Sequence, residues 1–276
     1  TITTTCTFVA GMTLTGTGTL QLSNAASITS AGLTFPGSMI FDGGTWTLAD
    51  NWVVTGDLAS TSTAVVINGA FTFTVGGSIT PGTSANIQGY CTYVMNGTGT
   101  LSTPNTGSFL NVKITINTAG TITIGSALRL YGIFTYTAGT LDTTTNNSNL
   151  TISGATTLTS LGITWYDIST SSSFTLTLAS DLVLSNTFTQ GNTLIFAGAY
   201  DISCANYDLT GAFSTTIVAG RTLNVTNSMN MIIQYATDRD FKSSSASTAS
   251  YFNFTGTVGN CRICNMRITD IDASGS

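Results

Sequence analysis

Apolar and polar side chains alternate along most of this chain with a period of two. Runs such as TWTL at 45–48, TITI at 121–124, TLTL at 175–178 and TFTQ at 187–190 set one apolar residue against one Thr. Successive side chains of an extended strand point to opposite faces, so each run predicts a short β-strand with one apolar and one hydroxyl face. Helical spacing is not sustained anywhere. The pattern predicts an all-β protein.

The strands recur in a unit. TWTLADNWVVTGDL at 45–58, TITIGSALRLYGIF at 121–134, TLTLASDLVLSNTF at 175–188 and TIVAGRTLNVTNSM at 216–229 align without a gap. Each has an alternating run, three small or polar residues, then a second alternating run. Looser copies are read at 9–20 and 72–79, which sets Leu14, Ile79, Leu128, Leu182 and Leu223 equivalent to Trp52. Repetition of one unit with uneven connections predicts a single-chain parallel β-solenoid whose coils stack through their backbones. A coil of about 20–27 residues would give roughly ten to thirteen coils at about 4.8 Å each. A tandem pair of β-sandwiches is the alternative, since it too uses short strands and turns. Gly and Asn punctuate the runs where turns need them, and only three prolines interrupt the backbone donors.

This organisation predicts solenoid repeats over 1–235, a Ser-rich loop or linker over 236–250 (ATDRDFKSSSASTAS), and a further β-coil over 251–276 that begins a continuing segment. The opening TITTTCTFVA lacks a basic n-region and an apolar h-region, and the chain starts at Thr, so it reads as part of something longer. An uncapped solenoid end exposes unpaired strand edges. Thr3–Val9 and Ile268–Ile271 are therefore expected to abut further protein.

Composition sharpens the functional picture. Charged residues are 7% of the 276, against about 25% in an average soluble protein, while hydrophobic residues are 42% and mean hydropathy is +0.30. Thr and Ser supply about 30%. There is no His and no Glu, so all 12 acids are Asp and general acid–base chemistry has few candidates. A net charge of -5 removes the basic footprint that nucleic acid requires, and no apolar run is long enough for a membrane-spanning helix. A surface with so few charges gains by burial against partners, which points to copies of itself or other surface proteins.

The last stretch, YFNFTGTVGNCRICNMRITDIDASGS, resembles a coil of the pectin-lyase-like right-handed β-helices. The cadence TLxLxxxLxVxGxL looks like repeats of phage tail fibres and tailspikes, other virion-surface proteins and large secreted bacterial adhesins. The resemblance implies a structural role on a virion or cell surface and carries no active site with it. Enzymes on the pectin-lyase-like fold commonly cluster Asp with Arg or Lys. The pairs Asp238/Asp240 and Asp270/Asp272, with Arg239, Lys242, Arg262 and Arg267 near them in sequence, keep a polysaccharide lyase or hydrolase in view. Spacing at i, i+2 would put both members of a pair on one strand face. The other reading makes them loop charges and turn caps.

Five cysteines stand at 6, 91, 204, 261 and 264. Cys261 and Cys264 have CxxC spacing, but residues three apart on a strand face opposite sides, and no His is present to complete a zinc site. Burial as small apolar thiols is expected, with disulfide pairing as the alternative and no metal or other cofactor. Trp46, Trp52, Trp165, Tyr166 and the pair Phe71/Phe73 could form a sugar-stacking platform, but Trp46 and Trp52 fall at repeat positions that hold Ile or Leu elsewhere and are expected in the core. Trp165 and Tyr166 lie outside the aligned unit, which makes them the candidate contact for a host-surface glycan. Asn-x-Ser/Thr sequons begin at Asn96, Asn146, Asn149, Asn224 and Asn253, which a chain this rich in Asn, Ser and Thr forms by chance. The sequence thus points to a non-enzymatic structural protein of a virion surface: a fibre, spike or decoration. A bacterial adhesin or passenger segment on a cell surface is the alternative, and a polysaccharide-cleaving enzyme the third reading.

Overall fold

The computed structural model describes residues 6–23, 27–61, 65–82, 86–104, 108–210, 214–232, 240–257, 261–264 and 267–272. Among these there is no helix, and short strands follow one another as a parallel β-solenoid of about 11 turns. The strand ladders are parallel, with one isolated antiparallel bridge at Ser245 and Thr248. A sandwich is antiparallel, so the tandem-sandwich alternative is excluded. Two compact units divide the chain, Thr1–Ser148 and Asn149–Ser276.

In the first unit a typical turn has three strands, as in Gly44–Leu48, Trp52–Val54 and Leu58–Ser60, joined by three-residue corners. The next turn repeats this with Val65–Asn68, Thr72–Val75 and Ile79–Pro81. Trp52, Phe73, Tyr93, Ile114 and Phe134 are successive register partners, 20 or 21 residues apart. All five are buried. The rings of Trp52 and Phe73 stack at 6.3 Å between centroids, and those of Phe73 and Tyr93 at 5.9 Å, within the range of favourable offset stacking. Trp46 is fully buried as well, donating from Nε1 to the Gly43 carbonyl at 2.9 Å.

In the second unit Leu150, Ile168, Phe188, Tyr207 and Met229 form an equivalent column with steps of 18–22 residues. Phe188 and Tyr207 stack at 5.7 Å. The strand Asp240–Ser243 pairs with Thr215–Ile217 and with Arg267–Thr269. The loop expected over 236–250 therefore contains a ladder strand, which buries Phe241 and Ser243 by the same alternation that the serines disguise in the sequence. Residues 236–239 lie outside the described residues.

Turn length is more regular than the sequence alignment implies. Ile79 pairs with Leu58, and Phe73 pairs with Trp52, so the copy at 72–79 is shifted by one strand from its expected place. Leu14 lies outside any strand, between Cys6–Thr7 and Thr19–Ser23. Of the opening stretch, Thr3–Thr5 lie outside the described residues, while Cys6–Thr7 pairs with Ser27–Thr29. At the other end Ile271–Asp272 pairs with Ser250–Phe254.

Buried backbone donors must be satisfied, including those where a corner runs into a strand. Here the residue just before a strand supplies the acceptor. Asn51 Oδ1 accepts from the Thr72 amide at 2.8 Å, Asp57 Oδ1 from Ser78 at 2.7 Å, and Ser78 Oγ from Thr100 at 3.0 Å. In the second unit Asp181 accepts from Asp201 at 3.0 Å and Asp201 from Thr222 at 2.8 Å. Each bond crosses from one turn to the next.

The two aromatic columns differ in one polar detail. Tyr93 is fully buried with no hydrogen-bond partner for its hydroxyl, whereas the Tyr207 hydroxyl donates to Gln190 Oε1 at 2.6 Å beside Thr215 Oγ1 at 3.2 Å. An unpaired buried hydroxyl costs about 1–3 kcal/mol and a made hydrogen bond contributes about 1. Tyr93→Phe is expected to leave stability unchanged or raise it by about 1 kcal/mol, while Tyr207→Phe lowers it by about 1–3 kcal/mol. Urea unfolding of both variants checks this, and equal losses would contradict the assignment.

Candidate functional site

Most of the aspartates have structural employment. Asp50, Asp57, Asp142, Asp167, Asp181 and Asp201 each accept a hydrogen bond from at least one backbone amide at a corner. Asp42 accepts from Thr61 Oγ1 at 2.8 Å, and Asp208 from Asn230 Nδ2 at 3.3 Å. Burial raises the carboxyl pKa of Asp208, the Asn230 bond opposing it. Hydrogen bonds from Thr145, and then from Thr144, hold Asp142 below the usual carboxylate range.

Of the two acid pairs singled out from sequence, only Asp270/Asp272 lies wholly within the described residues. Asp238 and Arg239 lie outside the described residues. Asp240 pairs with Lys242 at 3.6 Å, and its register partner on the next turn is Arg267. Asp270 sits in the bend between two short strands with φ of 55°, its carbonyl accepting from the Ser250 amide at 3.0 Å. Asp272 lies in the strand Ile271–Asp272. The expected single strand face for Asp270 and Asp272 is therefore corrected, because the chain turns at Asp270. Among the described residues no three His, Cys, Asp or Glu side chains gather as a metal-binding group.

The glycan candidate is corrected as well. Trp165 is fully buried, with Nε1 donating to Ser160 Oγ at 3.1 Å, so it offers no ring face to a ligand. Tyr166 is half-buried. The reason lies in a second repeat, ITSAGLTF at 28–35 and LTSLGITW at 158–165. Ala31 and Leu161 both adopt positive φ, at 52° and 44°. Their amides are held by Asp50 Oδ2 and by Ser180 Oγ, at aligned places one turn on. Trp165 occupies the place of Phe35, paired with Leu184 as Phe35 is with Val54.

Cys91 and Cys204 are buried, free thiols at places where the strand register shifts. Desolvation pushes Cys91 up to about 11 and Cys204 up to about 12. Cys261 is half-buried in the continuous strand Cys261–Cys264, which keeps the two positions on opposite faces.

A groove of about 340 Å³ opens on the first unit. It forms where the strand Asn86–Met95 turns a corner: Gln88 pairs with Asn111 and Thr92 with Lys113, so Gly89, Tyr90 and Cys91 together oppose Val112 alone. This bulge tucks Cys91 inward, its Sγ 3.2 Å from the Ile67 carbonyl, and turns Tyr90 outward to 79% exposure. Gly89 has φ of 130°, and a Cβ there would collide with the Ile67 carbonyl, as one at Gly132 would with Val112. Both floor positions thus require glycine. The walls are Val66, Asn68, Gln88 and Asn111 on one side, with Lys113 and Ile133 on the other. The sequence carries a signal for this: in NIQGYCTYVM the alternation breaks at Gly-Tyr-Cys, which marks a bulge presenting an aromatic.

No family model matches the chain, no curated protein matches its sequence and no solved structure matches its fold.

Two predictions follow from the titratable groups. Asp142→Asn keeps an acceptor oxygen and removes the charge. A carboxyl depressed in the folded state stabilises fully above its unfolded pKa and loses that contribution as pH falls through the folded value. The wild type is expected to be the more stable at neutral pH and to converge on the variant in acid, as read by urea unfolding across the range. A gap independent of pH would refute the carboxylate's role. For the thiols, iodoacetamide near neutral pH should spare Cys91 and Cys204 in the folded protein and label them in denaturant, as read by peptide mass mapping. Rapid labelling of either in the native state would be incompatible with the packing described.

Proposed function

We propose that this chain is a non-enzymatic structural segment of a virion surface, part of a fibre, spike or decoration, assembled with copies of itself or with other surface proteins. The observation that carries the reading is the use made of the acids. In a chain without His or Glu, catalysis of polysaccharide cleavage would fall to aspartates. Six of them cap backbone amides, and Asp42, Asp208 and Asp240 bond other side chains. Polar side chains are spent on holding turn to turn, which is the task of a structural element.

Composition supports the surface assignment. Outward columns such as Thr34, Val53, Thr74, Val94, Thr115 and Thr135 carry β-branched, uncharged side chains. With 7% charged residues and a mean hydropathy of +0.30, such faces gain by contact with partners. The resemblance of the repeat cadence to tail fibres and tailspikes favours a virion. The groove beside Tyr90 gives weight to a second reading, a bacterial surface adhesin, since an adhesin is defined by what it holds.

Size-exclusion chromatography with light scattering tests the assembly. Self-association rising with concentration is expected, and a clean monomer at high concentration would count against it. The flanking genes discriminate the two readings: capsid and tail genes favour the virion, and secretion or anchoring genes the adhesin.

A further inference from the structure

We propose that the groove at Tyr90 binds a saccharide bearing a carboxylate. The inference deepens the surface reading above by naming the class of molecule that would be contacted.

The groove's volume, about 340 Å³, lies in the range of small-ligand sites. Its lining combines three kinds of group. Tyr90 presents an exposed ring, and Val66 and Ile133 add apolar surface, which together suit the C–H face of a sugar. Asn68, Gln88 and Asn111 carry amides, each able to donate and accept, which suits vicinal hydroxyls. The third is a lone ammonium. Among the described residues Lys113 forms no ion pair with a carboxylate.

Charge selects the ligand. Acids outnumber bases 12 to 7 over the chain, yet no acid lines the groove and one lysine does. The local sign is opposite to the net charge. An uncharged sugar would leave Lys113 without a counter-charge, and an apolar ligand would strip water from three amides without replacing their hydrogen bonds. A nucleic acid would need several cations rather than one and would meet a net charge of -5. A sugar with one carboxylate satisfies the ammonium, the amides and the ring together.

The lining is also held in place. Gln88 and Asn111 are register partners on adjacent turns, as are Lys113 and Ile133, so the backbone ladder fixes the spacing of the two walls. Gly89 and Gly132 keep the floor free of side chains. A preformed site loses little freedom on binding.

The test is isothermal titration calorimetry at low salt with three probes: tetragalacturonate, 3′-sialyllactose and uncharged maltotetraose. At least one acidic probe should bind at least about tenfold more tightly than maltotetraose. Loss of one charge-assisted contact, as in Lys113→Gln, should weaken that probe by about tenfold and leave maltotetraose unchanged. Tyr90→Ala should abolish binding, while Tyr90→Phe should retain it. Lys242→Gln, outside the groove, controls for net charge and should have no effect, and thermal melts confirm that each variant is folded. Preference for the uronate or the sialoside identifies the source of the carboxylate. The proposal is overturned if neither acidic probe binds at millimolar concentration, if maltotetraose binds equally well, or if Lys113→Gln changes nothing. Binding is read per chain, so its failure is distinguishable from a failure to self-associate.

Discussion

The structure depends on one constraint: each turn must offer its backbone hydrogen-bonding groups in parallel register to the turns on either side. A strand in such a stack has its N–H and C=O groups committed in both directions, and any drift in turn length displaces every side chain along the ladder. Three-residue corners keep the strands in step from Trp52 to Phe73 to Tyr93. They also create a recurring deficit at amides where a corner runs into a strand. Asn51, Asp57, Ser78, Asp181 and Asp201 fill it with side-chain oxygens. The abundance of Ser, Thr, Asn and Asp, and the near absence of longer charged side chains, follow from that need for short acceptors close to the backbone.

The same register produces the core. Residues at one position of successive turns lie over one another, so an aromatic at one level favours an aromatic or a branched aliphatic at the next. Trp52, Phe73 and Tyr93 make one such series and Phe188 and Tyr207 another. The second series also carries a buried polar group, Gln190, whose Oε1 accepts from both Tyr207 and Thr215 while its Nε2 donates to the Asn192 and Ser214 carbonyls. Every hydrogen-bonding atom of that amide is engaged, a condition under which a buried polar side chain rigidifies rather than weakens its surroundings.

Period two, the fourteen-residue unit and the burial of Trp46 and Trp52 were legible in the sequence because each rests on local alternation. Phase was not. Within the unit Trp46, Trp52 and Leu58 are six residues apart, so a copy displaced by one strand matches almost as well as the true one. TFTVGGSI therefore aligned with TWTLADNW, when its strands lie over WVVTGDL. The ITSAGLTF and LTSLGITW copies share a corner conformation that no alternation encodes, and without them Trp165 lay outside the aligned unit. The pair Asp270/Asp272 was misplaced for a related reason: spacing at i, i+2 implies a common face only if the strand continues, and it bends at Asp270. The groove joins residues from four successive turns, so its walls have no sequence signature beyond the break at Gly89-Tyr90-Cys91.

That break is where structure and function separate. A register shift obliges some residue to leave the ladder, but it does not oblige that residue to be aromatic. The second unit provides the comparison. Between Cys204 and Asn206 the register with the strand Thr222–Ile232 also shifts, and the residues displaced outward there are Thr226 and Asn227. Asn227 turns back and donates to Asn206 Oδ1 at 2.8 Å, joining a series in which Asn206 bonds Asn186 and Asn186 bonds Asp167. A bulge in this fold can thus be closed by polar side chains returning to the stack. At Tyr90 the chain instead extends a large ring into water, in a groove whose ammonium has no carboxylate partner among the described residues. Both side chains are exposed, and neither is needed to close the bulge. Their presence in one groove over a glycine floor supports the external ligand proposed above rather than a requirement of stacking.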